Sequence, residues 1–211
     1  QGRPPEPAQK GNGPTAQSWL GTGLFTGVTE VAQIELRKIP GLSASQYYCL
    51  VTAKFAGSAG GWDIASGIAD TAAKTFTRNS DVNALNVAGD EFAGTISSDG
   101  LFYVADTPTG AKYAVRTATT AAFTAWAGNI TGAGSGYIDP KIAYRNGQEY
   151  LSYVSGTDIF AGRVSRTGAV TGGNRIITNP TGSAGLHSQQ GVEDGTGNTV
   201  AWIHSARPTG M

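Results

Sequence analysis

Four stretches of this 211-residue chain repeat one another at a spacing of about fifty residues, and few folds accommodate such a period. The units span residues 43–76, 91–126, 138–172 and 187–206. Aromatic or apolar strands centred on Tyr48, Tyr103, Leu151 and Ala201 mark the period. A complete unit reads as an inner strand, a glycine turn, an aromatic strand, a loop and a third strand, such as Trp62-Asp63-Ile64 or Asp158-Ile159-Phe160. One small antiparallel sheet cannot cover both of its faces, so neighbouring sheets must stack around an axis. The pattern predicts an all-β chain, a β-propeller of repeated antiparallel blades over residues 18–211. The fourth unit lacks its outer strands. Two closures follow: the N-terminal strands, expected at residues 19–25 and 28–36, complete the last blade as a clasp, or a second polypeptide chain supplies further blades. A two-sheet sandwich is the alternative fold.

The third unit shows the local logic most clearly. GYIDPKIAYRNGQEYLSYVS (residues 136–155) sets two runs rich in β-branched and aromatic residues on either side of Asn146-Gly147. That dipeptide is the strongest short hairpin signal, since a type I′ turn needs positive φ at both central positions. Pro140 cannot donate to a ladder and belongs at a strand start. Asp139 is therefore expected at a strand entrance, on a rim, where a carboxylate stays solvated or meets a ligand. Thr71 to Phe76 is the best helical candidate, at one or two turns.

Composition excludes several functions. Charged residues make up 14% of the chain, 15 basic against 15 acidic, which leaves no electrostatic footprint for nucleic acid or an anionic membrane. No apolar run approaches a membrane span. The 31 glycines fit many tight turns between short strands. Cys49 stands alone, so no internal disulfide can form, and a buried thiol within a strand is expected. Residues 1–17 are rich in Pro, Gly and Gln and read as a flexible arm. The chain starts at Gln1 without a basic-then-apolar leader, which fits a secreted, extracellular protein after processing and equally an excised piece.

On these residues the chain resembles a known family. Tyr137-Ile138-Asp139-Pro140, followed by Asn146-Gly147 and Tyr150-Leu151-Ser152-Tyr153, resembles a blade of the five-bladed propellers of family 43 glycoside hydrolases. The segment from Glu91-Phe92 to Ser97-Ser98-Asp99-Gly100 is similar to blades of TolB-like propellers. In the family 43 enzymes three acidic residues line the central funnel: a base near the start of the fold, the Asp of a middle-blade Asp-Pro, and a general-acid Glu in the next blade. The resemblance implies the middle role for Asp139. Gln190 stands where the general acid is expected, and an amide cannot donate the proton that glycoside hydrolysis requires. The first Asp-Pro is also missing, since the segment before unit one reads ELRKIPGLS. The resemblance thus implies a carbohydrate-active propeller that binds or hydrolyses a glycan in its funnel, with Glu193 or a residue from a partner chain standing in for the acid. The alternative is a non-enzymatic recognition or scaffold subunit of a larger assembly.

Candidate site residues follow from the alignment of inner-strand starts. Glu91 and Phe92 in unit two and Gln189 and Gln190 in unit four correspond to Asp139. Acidic, amide and aromatic groups together suit a polar, neutral ligand such as a sugar. Trp62 and Asp63, beside the glycine loop of residues 57–61, are candidates for stacking and hydrogen bonding to a glycan. His187 precedes the last inner strand and is a candidate acid/base. The four tryptophans are otherwise expected in inter-blade packing. No cofactor is implied. Zinc spacing, a Gly-x-Ser-x-Gly elbow and a phosphate loop are all missing, and a calcium ion would have to be held by scattered carboxylates and carbonyls.

Overall fold

The computed structural model describes residues 27–55, 61–145, 147–156, 158–177, 187–193 and 200–206, and only the backbone at 145, 176–177, 187–193 and 200–206. Strand is the main regular structure of the described chain, with one short helical turn at Asn83–Leu85. Three four-stranded antiparallel sheets follow one another. The first contains β1 (Val28–Arg37), β2 (Gln46–Phe55), β3 (Asp63–Asp70) and β4 (Thr75–Asn79) in that order. The second contains β5 (Phe92–Ile96), β6 (Phe102–Thr107), β7 (Gly110–Val115) and the short β8 (Gly128–Asn129). The third contains β9 (Lys141–Arg145), β10 (Gln148–Ser155), β11 (Asp158–Val164) and β12 (Val170–Ile177). A fourth, two-stranded sheet pairs β13 (His187–Glu193) with β14 (Val200–Ala206).

The sheets stack face to face because side chains alternate across each strand. On β6, Tyr103 and Ala105 point into a core shared with Tyr48, Leu50 and Ile64 of the first sheet. Phe102 and Val104, one residue out of phase, point into a second core with Ile142, Leu151 and Tyr153 of the third sheet. The middle sheet is thus apolar on both faces. Gly94 makes room for this packing, since a Cβ there would stand 2.8 Å from the Tyr103 hydroxyl and 3.0 Å from Ile64. Trp126 packs on the first core and donates its indole N–H to the Leu85 carbonyl at 2.8 Å, which is inter-sheet packing as expected.

The first strands of the sheets lie side by side. Thr95 of β5 donates to the Glu35 carboxylate of β1 at 2.9 Å and accepts from the Ile142 amide of β9 at 3.1 Å. Arg37 of β1 donates to the Ile142 carbonyl, and β13 lies against β9. Contacts among the first strands of successive four-stranded sheets are consistent with propeller-like blades, and the sheets do not close into a ring among the described residues.

Three expectations need correction or refinement. Residues 28–37 do not clasp the last unit: β1 is hydrogen-bonded to β2 over most of its length and is the first strand of the first sheet. Residues 19–25 and the arm lie outside the described residues. Thr71 to Phe76 is a turn leading into β4, not a helix, because the Asp70 carboxylate accepts from the amides of Ala72 and Ala73 and closes the chain into a tight reversal. The expected hairpin pairs β9 with β10, and Asn146 of its turn lies outside the described residues. Arg145 faces Gln148 in register, and Gly147 has φ +75°.

Candidate functional site

The starts of β5 and β9, with the start of β3 beside them, form one end of the inner-strand layer. Here the backbone departs from regular strand. Ala93 (φ +54°) and Asp139 (φ +44°) are non-glycine residues at positive φ, a conformation that costs about 1 kcal/mol or more. The register of β5 against β6 shifts between Phe92 and Thr95, which accommodates the kink at Ala93.

Asp139 is not the solvated rim carboxylate that the sequence suggested. It is 6% exposed and paired with the Lys141 ammonium at 3.3 Å. The strained turn around it is held by Asp106, a residue the sequence reading did not select. The Asp106 carboxylate accepts from the Ile138 amide at 3.2 Å and the Asp139 amide at 2.7 Å. The buried Lys141 ammonium is paired with Asp139 and acts on the Asp106 carboxylate through its charge. Burial pushes the Asp106 carboxyl up to about 7; the two amides and Lys141 oppose that rise, and the Asp139 charge adds to it. A signal was present: an acidic residue closes the apolar run Phe102-Tyr103-Val104-Ala105, where burial is assured.

Glu91 lies just before β5 and is 2% exposed. Its Oε1 accepts from the Val87 amide at 2.5 Å, while Oε2 is buried with no hydrogen-bond partner among the described residues. Burial pushes its carboxyl up to about 7, reinforced by the neighbouring Asp63 and Asp90. Burial, with Asp90, also raises Asp63 at the start of β3. The Trp62 backbone is fixed from both sides. Its amide donates to Asp90 at 2.9 Å, and its carbonyl accepts from the Glu91 amide at 2.7 Å.

The rings of this region form one group. Trp62 and Phe92 stand 5.5 Å apart, and Tyr137 meets Phe92 edge-on at 5.7 Å. Tyr137 is 48% exposed, and Trp62 and Phe92 are half-buried. Lys54 lies 4.6 Å over the Trp62 ring. Aromatic faces backed by carboxylates offer the flat apolar surface and hydrogen-bond acceptors that a sugar ring uses.

Glu91, Phe92, Trp62, Asp63 and Asp139 therefore come to one end of the sheets. His187, Gln189, Gln190 and Glu193 fall on β13, whose backbone lies against β9. Their side chains are outside the described residues, as are the glycine loop at 56–60 and the side chains of Trp202 and His204. Among the described residues no group of three or more His, Cys, Asp or Glu is placed to hold a metal ion, and no helix is long and apolar enough to cross a membrane. Cys49 is fully buried in β2, and burial raises its thiol to about 12.

No family model matches the chain, and no curated protein matches it. Among solved structures it is similar to the Bacteroides ovatus xyloglucan PUL protein GH43B, with a TM-score of 0.54 and 11% identity. The match covers 81% of this chain and 35% of that one, so the chain spans about a third of that protein's length. At this identity the likeness speaks for the fold: the all-β, four-stranded units are arranged as in a glycoside hydrolase-like propeller.

Proposed function

We propose that this propeller binds a glycan at the starts of its inner strands, with sugar rings stacked on Trp62, Phe92 and Tyr137. The observation that carries this reading is the aromatic group itself, since a half-exposed trio set above buried acids is costly to keep at a surface unless it meets a ligand. Backbone strain at Ala93 and Asp139 on adjacent inner strands supports the same location.

Recognition without hydrolysis is favoured over catalysis. Asp139 is engaged by Lys141, Asp106 by two backbone amides, and Glu91 is turned away from solvent. Glycoside hydrolysis needs two carboxyl groups placed across the scissile bond. The Glu91 and Asp106 carboxyls, both raised to about 7, can carry a general acid's proton at neutral pH, but both are buried. Two measurements test the reading together. Calorimetric titration with arabino-, xylo- and galacto-oligosaccharides is expected to show binding that Trp62→Ala and Tyr137→Ala weaken. Chromogenic arabinosides, xylosides and galactosides are expected to release no dye with the wild-type chain. Dye release that Asp139→Asn abolishes would make the protein a hydrolase, and binding unaffected by loss of either ring would move the site elsewhere.

A further inference from the structure

Tyr137, the most exposed ring of the aromatic group, follows a glycine-rich approach. Residues 131–136 read Thr-Gly-Ala-Gly-Ser-Gly, and Gly132, Gly134 and Gly136 all take positive φ. Glycine leaves a backbone with wide conformational freedom, so this approach does little by itself to fix where the ring stands.

The chain becomes fixed directly after the ring. Ile138 is 2% exposed and packs in the core between the second and third sheets, and its carbonyl accepts from the Val154 amide at 2.7 Å. The Ile138 and Asp139 amides both donate to Asp106, whose Oδ2 accepts from the first at 3.2 Å and from the second at 2.7 Å. One carboxylate oxygen thus gathers two consecutive amides, and bonds of this kind to a charged acceptor are the stronger ones. Asp106 belongs to β6 and stands opposite Phe92 of β5 in the register of the second sheet. Phe92 is the ring that Tyr137 meets edge-on at 5.7 Å. A single buried side chain therefore ties the turn that carries Tyr137, in front of the third sheet, to the strand partner of Phe92 in the second.

We propose that Asp106 is the positioning residue of the glycan site: it holds the turn at residues 137–139 so that Tyr137 stands against Phe92 in the geometry that meets a sugar ring. This rests on the glycan reading above, while the placement of the ring is measurable without a ligand. Asp106 is 2% exposed, so it acts through the two amides and not by touching sugar. Because Oδ2 alone reaches both amides, a carbonyl oxygen suffices there. Asp106→Asn should keep the ring in place, and Asp106→Ala should release it.

The test has two arms, both on the full chain. In the first, 3-fluorotyrosine replaces the eight tyrosines, and Tyr137→Phe assigns the Tyr137 fluorine signal. Asp106→Ala is expected to shift and narrow that signal while those of the buried Tyr48 and Tyr103 stay in place, and Asp106→Asn to leave all three unchanged. In the second, arabino-, xylo- and galacto-oligosaccharides are titrated calorimetrically. Asp106→Ala should weaken binding about fivefold, as Tyr137→Ala does, and the double variant no more than either alone; independent effects would multiply to about 25-fold. Asp106→Asn should stay within about twofold of the wild type. Should Asp106→Ala fail to fold, Asp106→Ser, a polar group too short to reach both amides, takes its place in both arms. A Tyr137 signal that does not move, one that Asp106→Asn moves equally, or losses that multiply in the double variant would each overturn the proposal. Binding of none of these sugars would overturn the glycan reading instead, and the fluorine signals would still decide whether Asp106 places the ring.

Discussion

The two ends of the inner strands are built from the same repeat and have been put to opposite use. Where β5 and β9 begin, the acids are turned inward and the rings outward: Glu91, Asp106 and Asp139 are buried while Tyr137 is half-exposed. Where those strands end, the wall of an open pocket is polar, with Arg166 and Asp99 paired in partial exposure. The backbone differs only in part. At the far end, glycines at positive φ (Gly100, Gly147 and Gly168) serve the turns after β5, β9 and β11, while Lys74 takes positive φ (+54°) in the β3–β4 turn. At the near end, Ala93 and Asp139 take positive φ without being glycine, and the buried Asp106 carboxylate holds the turn at Asp139. Exposed rings and several buried acids gather at one end; the other carries a partly exposed ion pair beside the buried Glu149.

The sharpest break of that contrast is Asp106→Ala. Two backbone amides lose their acceptor in a buried site, at a cost of about 3 kcal/mol in chemical denaturation. Asp106→Asn keeps a carbonyl for the amides and should cost about 1 kcal/mol.

Next in size is the dependence of stability on pH. Glu91, Asp106 and Glu149 all have carboxyls raised to about 7 in the folded chain. Unfolded, they ionise near 4. A raised carboxylate pKa means that folding binds protons, so this contribution is present below about pH 4 and is lost as pH rises towards 7. Asp70 and Asp99 act in the other direction, since hydrogen bonds hold both below their ordinary value and protonating them costs stability as pH falls. The melting temperature is expected to be about 5 °C higher at pH 5 than at pH 8. Glu91→Gln together with Glu149→Gln should flatten that difference. A melting temperature that rises steadily to pH 8 would show that these acids are not buried as described.

Smaller effects separate the ends by function. Tyr137→Ala or Trp62→Ala removes a stacking face worth about 1 kcal/mol, so glycan affinity should fall roughly fivefold with little change in stability. Arg166→Ala breaks an exposed ion pair at the other end and should cost less than about 1 kcal/mol of stability, with glycan binding untouched.

Much of this architecture was legible from local chemistry. The Asn-Gly turn, the alternation on β6 and the aromatic period each follow from rules that act over a few residues, and the repeat carries them through the chain. The pairing of β1 with β2 was not legible, because its sequence alternates poorly and long-range partners leave no local mark. At the candidate site, Glu91 and Phe92 could be placed by aligning strand starts, and Trp62 by its place beside a glycine loop. The burial of Asp139 could not, since it depends on Lys141 and on Asp106 in a neighbouring sheet. Glu149 was likewise hidden: its position after a hairpin turn suggests exposure, and only the packing of Ser98 and Arg166 from two sheets encloses it.

The most direct measurement is hydrogen–deuterium exchange of the chain with and without a glycan from the binding screen. Protection confined to residues 61–63, 90–93 and 136–141 is the result expected if the sugar lies on the aromatic group. Protection at residues 97–99, 147–149 and 164–166 instead, or at neither set, would contradict it.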